Sequence, residues 1–248
     1  TSLRIFPIPA TMHNSVFIIS IVLDLMLWLN ENSQKKVTLA NGSVIDRPVL
    51  ALPPKSKEVG LSQFLRTNFA RINTVRISKN KHIPWIKGNI WIVLNGYIKL
   101  RALKNNGEEL TLGFLGPNQV FGEPFSLIDE CDPYALVDSK LVNLPLKEAY
   151  KSPSMAIAIM ESLSLRNRYT ELSMAVLAEK KVKEKVKAFL ELIATDLGKP
   201  VRDGLMIDFK ITHQDIANAI GSTRVTITRI LAELQEDYWL KKTDGGLL

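Results

Sequence analysis

The side chains best suited to chemistry lie between Ile211 and Leu234, in ITHQDIANAIGSTRVTITRILAEL. Arg224 and Arg229 carry guanidinium forks, Thr223 and Thr228 carry hydroxyls, and Val225 adds a β-branched side chain, all near one end of a segment with helical apolar spacing. A fork matches guanine N7 and O6, a hydroxyl matches a phosphate oxygen, and a methyl group matches that of thymine, so the set suits the edges of a DNA major groove. An enzyme acting on DNA would instead need clustered carboxylates for metal ions or an activated Ser or Tyr nucleophile. The nearest approach, Asp129, Glu130 and Asp132, falls in an expected loop with no histidine close in sequence, so the chain reads as a non-enzyme.

The elements that must hold these groups follow from the same stretch. Thr212 with Asp215 three residues on makes a capping-box pattern that starts one helix. Gly221 supplies the positive φ of a tight turn, and Ser222 or Thr223 caps a second helix that begins at once. Small Ala217 permits a steep, close crossing, while Ile216, Ile220, Ile227 and Ile230 supply a shared core. This is a helix-turn-helix pattern. A merely structural hairpin with surface arginines would not call for the glycine, the alanine and the isoleucine spacing together. Downstream, Tyr238 to Thr243 and then Asp244-Gly245-Gly246 read as a strand and turn that open a wing, with a second strand short or absent.

Upstream, residues 1–60 read as an N-terminal extension of unknown role, ending in a Pro-, Gly- and Ser-rich linker at 41–60. Its apolar stretch, Ser15 to Leu29, is fifteen residues long and interrupted by Asp24. A membrane span needs about 20 apolar residues, so no stable insertion is expected and a buried helix or strand pair is. Residues 61–153 carry short alternating runs, TVRIS, NIWIVL, YIKLRAL, ELTLGFL, YALV and KLVNL, with a bend at DECDP; they describe a small antiparallel β-roll. From 154 to 180 the period turns helical, and Ile157, Met160, Leu163, Tyr169, Leu172, Met174 and Leu177 recur without glycine or proline. Such a helix is too long to serve one small roll and is expected to pair with its copy in a homodimer. Residues 181–248 begin with a helix whose stripe is Val182, Val186, Phe189, Leu190, Leu192 and Ile193, ended by Gly198 and Pro200, and continue into the helix-turn-helix. The fold class is therefore α+β: a β-roll, a long dimerisation helix and a winged helix-turn-helix.

With a single cysteine and three scattered histidines in 248 residues, the chain cannot close a disulfide within itself, and no metal or cofactor is expected. That usage suits a reducing, intracellular compartment such as a cytoplasm or a stroma. The net charge of +7 points to polyanions, yet its location is unexpected. Lys55, Lys57, Arg66, Arg71, Arg76, Lys79, Lys81, Lys87, Lys99, Arg101 and Lys104 are opposed between 55 and 105 only by Glu58, whereas the region from Glu179 onward is nearly balanced. DNA reading is thus argued from Arg224 and Arg229, and the basic roll is expected to meet flanking DNA or RNA polymerase.

A β-roll, a long helix and a C-terminal helix-turn-helix together resemble the Crp/Fnr family of transcription regulators over about Leu61 to Leu248, most closely in IDFKITHQDIANAIGSTRVTITRIL. The resemblance implies double-stranded DNA as partner, with Arg224, Val225 and Arg229 on the bases of GTA and TAC half-sites and Ser222 and Thr223 on phosphates. Thr212 and Thr228 complete the expected DNA-facing set. In cyclic-nucleotide-binding members a Gly-Glu pair is followed about ten residues later by Arg-Ser, whose arginine pairs with the cyclic phosphate. Gly122-Glu123 is present after Phe121, but Pro133-Tyr134 fills the second position, and proline has neither charge nor N–H. Cyclic AMP is not expected. Nitrogen-control members of the family instead bind 2-oxoglutarate, partly through an arginine and a glutamate on the dimer helix, and Arg166 and Glu171 occupy the matching places. The expected effector site is Phe121, Gly122, Glu123, Tyr134, Arg166 and Glu171, with Glu171 orienting Arg166 or a neighbouring backbone donor. A guanidinium in an apolar seam is costly unless paired or liganded, which suits Arg166 to a carboxylate. A regulator or interaction protein without an effector is the alternative.

Overall fold

The computed structural model describes residues 37–38, 44–45, 61, 74–103, 107–129, 131–201, 204–243 and 246–247. The apolar stretch at 15–29, most of the linker at 41–60, Arg66, Arg71, Lys104, Glu130 and the wing turn at 244–245 lie outside the described residues. Residues 1–56 separate from residues 57–248 as a unit, in which β1 (Val37–Thr38) and β2 (Val44–Ile45) pair antiparallel.

The second unit opens with seven short strands: β3 (Thr74–Ile77), β4 (Asn89–Asn95), β5 (Ile98–Leu103), β6 (Glu109–Leu115), β7 (Val120–Gly122), β8 (Cys131–Ala135) and β9 (Ser139–Pro145). They form two antiparallel sheets, in the orders β3-β9-β4-β7 and β6-β5-β8. Between the sheets Trp91, Val93, Ile98, Leu100, Leu115, Phe121, Cys131 and Leu141 make the roll interior. Side chains alternate along a strand, so the residues between these face outward, yet they are buried too. From β4, Ile90, Ile92 and Leu94 pack with Met155 and Ile159 of a long helix. From the second sheet, Tyr97 and Phe114 join a core with the C-terminal helices. Each sheet therefore has protein on both faces, which is why β4 reads as an unbroken apolar run.

After α1 (Leu146–Ala149), the long helix α2 spans Pro153–Ala178; Ser152 caps it by accepting from Met155 N at 3.3 Å, and Pro153 occupies its first turn. Then follow α3 (Val182–Leu197), the hairpin of β10 (Lys199–Val201) and β11 (Gly204–Met206), α4 (His213–Ile220), α5 (Arg224–Glu236), and the paired β12 (Lys242–Thr243) and β13 (Gly246–Leu247).

Four features differ from the sequence reading. The expected bend at DECDP is already strand from Cys131, because β8 is an edge strand, where proline is tolerated, and Cys131 and Ala135 fill the roll interior. Gly198 and Pro200 end α3 but also start a hairpin. The wing strand begins only at Lys242, since Tyr238 to Leu240 still wind around the end of α5, Trp239 N and Leu240 N both donating to Leu234 O. Finally, the apolar positions of α2 divide between two faces. Leu163 is half-buried against the roll and Tyr169 and Leu172 are half-buried as well, while Ile157, Met160, Met174 and Leu177 stay exposed, Met160 by 63% and Met174 by 64%.

Tyr238 occupies the left-handed region at φ 55° while its side chain is 89% exposed, so the ring gains little from the position that strains its backbone. Replacing it with glycine, the residue this C-terminal cap position favours, should raise the free energy of unfolding by about 0.5–1 kcal/mol, read as a higher urea midpoint at unchanged slope.

Candidate nucleic-acid interface and effector site

Two reciprocal caps build the helix-turn-helix. Thr212 Oγ1 accepts from Asp215 N at 3.0 Å and Asp215 Oδ2 accepts from Thr212 N at 2.9 Å, the capping box expected at the start of α4. Gly221 ends that helix at φ 68°, and Ser222 N donates back to Ala217 O at 3.0 Å. Of the two candidate caps for α5 the structure uses Thr223, whose Oγ1 accepts from Thr226 N at 3.2 Å. Ile216, Ala217, Ile220, Ile227 and Ile230 are all buried in the common core.

This leaves a polar face on α5 turned to solvent. Arg224, Val225, Thr228 and Arg229 are exposed, Val225 by 80%, as is Thr212 at the cap of α4, while Ser222 is half-buried in the turn. An apolar side chain that bare, in the middle of a polar face, has no folding role. Arg229 is held by Glu233 at 2.5 Å, an exposed i,i+4 pair of small energetic worth that steadies the fork. Thr228 Oγ1 donates to Arg224 O at 2.9 Å and lies 2.8 Å from His213 Nδ1, so it also ties the two helices together. His213 escaped the sequence reading; its place one residue past the cap was the available signal.

The expected effector residues do not all converge. Arg166, on α2, reaches the strand that carries Phe121 and Gly122, with Nη1 donating to Val120 O at 3.4 Å. Burial lowers its pKa, an effect the nearby Cys131 thiol partly counters, and among the described residues no carboxylate pairs with it. Phe121 is wholly buried in the roll interior. Gly122, at φ 151°, has room for no side chain: a Cβ would lie 2.5 Å from Asn89 O. Glu123 Oε2 accepts from Gly88 N at 3.0 Å.

Two residues stand elsewhere. Tyr134 was expected in the pocket, but the alternation of β8 turns it to the outer face of its sheet, under Arg101 at 4.9 Å and Lys99 at 5.5 Å. Glu171 was expected to orient Arg166 or a neighbouring backbone donor; in the structure it accepts from the Asn167 side chain at 2.9 Å, one turn back on the exposed side of α2. The acidic loop is also corrected. Asp132 has a histidine beside it after all, His82 Nδ1 lying 2.6 Å from its Oδ1, a partner fifty residues away that no local pattern announces.

A roll, a long helix and a capped helix-turn-helix with a bare reading face define a DNA-binding transcription regulator rather than an enzyme. Comparison with known proteins agrees. The Crp-like helix-turn-helix domain matches residues 184–248. The chain is 34% identical over 164 residues to the global nitrogen regulator of Synechocystis sp., covering 62% of this chain and 72% of that protein. It is 35% identical over 156 residues to the global nitrogen regulator of Synechococcus elongatus, covering 59% and 70%. A CRP-family transcriptional regulator from Thermus thermophilus shares the fold, with a TM-score of 0.59 at 18% identity over 70% of this chain and 90% of that one. The chain belongs to the Crp/Fnr family of transcription regulators.

Proposed function

We propose that the chain acts as a homodimer that reads two half-sites of a palindrome through α5 and is controlled in that act by 2-oxoglutarate, in nitrogen control. The observation that carries the DNA half is the bare face of α5, where Arg224, Val225 and Arg229 project together. In this reading those three meet base edges, and Thr212, Ser222, Thr223 and Thr228 meet the backbone. The dimer reading is supported by the exposed stripe of Ile157, Met160, Met174 and Leu177 on α2, apolar surface that a second copy would cover. Exposed Arg76, Lys79, Lys81 and Lys140 support a further contact of the roll with flanking DNA or RNA polymerase.

The effector half rests on Arg166. A half-buried guanidinium that among the described residues donates to a carbonyl and meets no carboxylate favours a carboxylate ligand, and the similarity to global nitrogen regulators favours 2-oxoglutarate over other carboxylates. A cyclic phosphate would find uncharged Pro133 where its ionic partner belongs. In this reading the ligand bridges β7 and α2 and biases how the two long helices cross.

Arg224→Ala or Arg229→Ala should cost about 1–3 kcal/mol against a selected palindrome and leave salt-dependent binding to random DNA largely intact, as measured by fluorescence anisotropy. Equal weakening on both DNAs would mean that these arginines hold phosphates only. Calorimetric titration of the full chain should show 2-oxoglutarate binding that weakens at least about tenfold in Arg166→Ala, and no heat from cyclic AMP. Tight cyclic AMP binding, or 2-oxoglutarate binding indifferent to Arg166, would contradict the effector reading and leave the DNA reading standing.

A further inference from the structure

Lys99 is the second residue of β5, the central strand of its sheet, and is 2% exposed. Strand alternation turns it away from the roll interior, which Ile98 and Leu100 fill, and toward α4. There its ammonium donates to two carboxylates: Glu109, on the neighbouring roll strand, and Asp215, in the first turn of α4. Burial by itself would push the ammonium down, and the bonds to Asp215 and Glu109 more than offset it, holding Lys99 above the ordinary lysine value. On its other side Glu109 accepts from Arg101 at 2.6 Å, and Arg101 bonds Asp132 at 2.9 and 2.7 Å, so the charges alternate across the outer face of the sheet.

The remainder of the roll's contact with α4 is apolar among the described residues, while elsewhere the roll is tied to α3 by Tyr97 Oη donating to Leu197 O at 3.5 Å and by Gln119 Nε2 donating to Asp196 at 3.1 Å. Tyr97 and Phe114 of the roll stack on Phe209 with ring centroids 4.3 and 6.0 Å apart, in one core with Ile216, Ala217 and Ile220 of α4. Such a surface supplies adhesion and tolerates sliding. The ion pair does not, since any slip would leave Asp215 buried without its cation and Lys99 with one carboxylate in place of two. Because Asp215 also closes the capping box, the roll grips α4 at its end, and the shared isoleucine core and the His213–Thr228 contact carry that placement to α5.

We propose that Lys99 is a positioning residue for operator reading: it fixes α4, and through it α5, at one angle on the roll and thereby sets the half-site spacing that the protein accepts. The inference rests on the two-half-site reading above. One base pair inserted between half-sites moves them apart by about 3.4 Å and rotates one by about 34°, so spacing reports the angle directly.

The test uses the palindrome selected from random DNA by the wild-type chain, with copies lengthened or shortened by one base pair. Wild type should lose at least about tenfold in affinity on the altered spacings. Lys99→Met with Asp215→Asn removes both charges while leaving Glu109 to Arg101, and should reduce that ratio to about threefold or less. The ratio is the readout because a merely destabilised protein would lose affinity on all three DNAs alike. Asp215→Glu keeps both charges and adds a methylene between α4 and the roll; it should also shrink the ratio or move the best spacing. An undiminished ratio at the same spacing in a folded variant would overturn the proposal, as would tighter binding of the double variant at the original spacing, which would mean that the pair holds the reading helix away from DNA. Failure of the wild type to prefer a palindrome would instead refute the two-half-site reading.

Discussion

The central strands of the roll, β4 and β5, are covered on both faces, and that constraint governs what they can carry. One sheet lies against α2 and the other against the helices that bear the reading face. A strand with water on one side would tolerate any polar residue there, whereas β4 and β5 must satisfy whatever they turn outward. The solutions differ. β4 offers isoleucines to α2, and β5, entered just after Tyr97, offers a lysine that can exist there only with carboxylates supplied from two directions. Removing one member of a buried ion pair costs about 3–5 kcal/mol, so Lys99 and Asp215 stand or fall together, whereas Glu109 also has Arg101.

The same arrangement explains where the sequence was legible. The helix-turn-helix was legible but for the choice between Ser222 and Thr223 as cap and the place of His213, because capping, the αL turn and the isoleucine spacing are local rules: Thr212, Asp215 and Gly221 do what their positions announce. The roll was legible as strands, but its outward residues were not, since nothing in one sequence says that an outward face is covered. Lys99 and Asp215 are 116 positions apart, and Lys99 looked like one cation among many in a basic stretch. Tyr134 belongs to the same kind of outward position: Cys131 and Ala135 fill the roll interior, so the alternation of β8 turns Tyr134 to the covered outer face, which no local pattern announces.

The long helix α2 shows a third kind of ambiguity. Its apolar residues serve two partners, the roll on one side and exposed surface on the other, so no single stripe stands out along it. Met155, Ile159 and Ser162 belong to the roll side, where Ser162 Oγ also accepts from Val120 N at 3.2 Å, and Arg166 follows them one turn on. Arg166 therefore joins β7 to the helix that would cross its partner, a place where a bound carboxylate would act on both.

The central claim is that α2 brings two reading helices onto one DNA. Sedimentation equilibrium of the full chain with a palindromic duplex and with a duplex carrying one half-site tests it most directly. Two chains per palindrome, with much weaker association on the single half-site, is the result this account predicts. One chain per duplex, with equal affinity for palindrome and half-site, would contradict it.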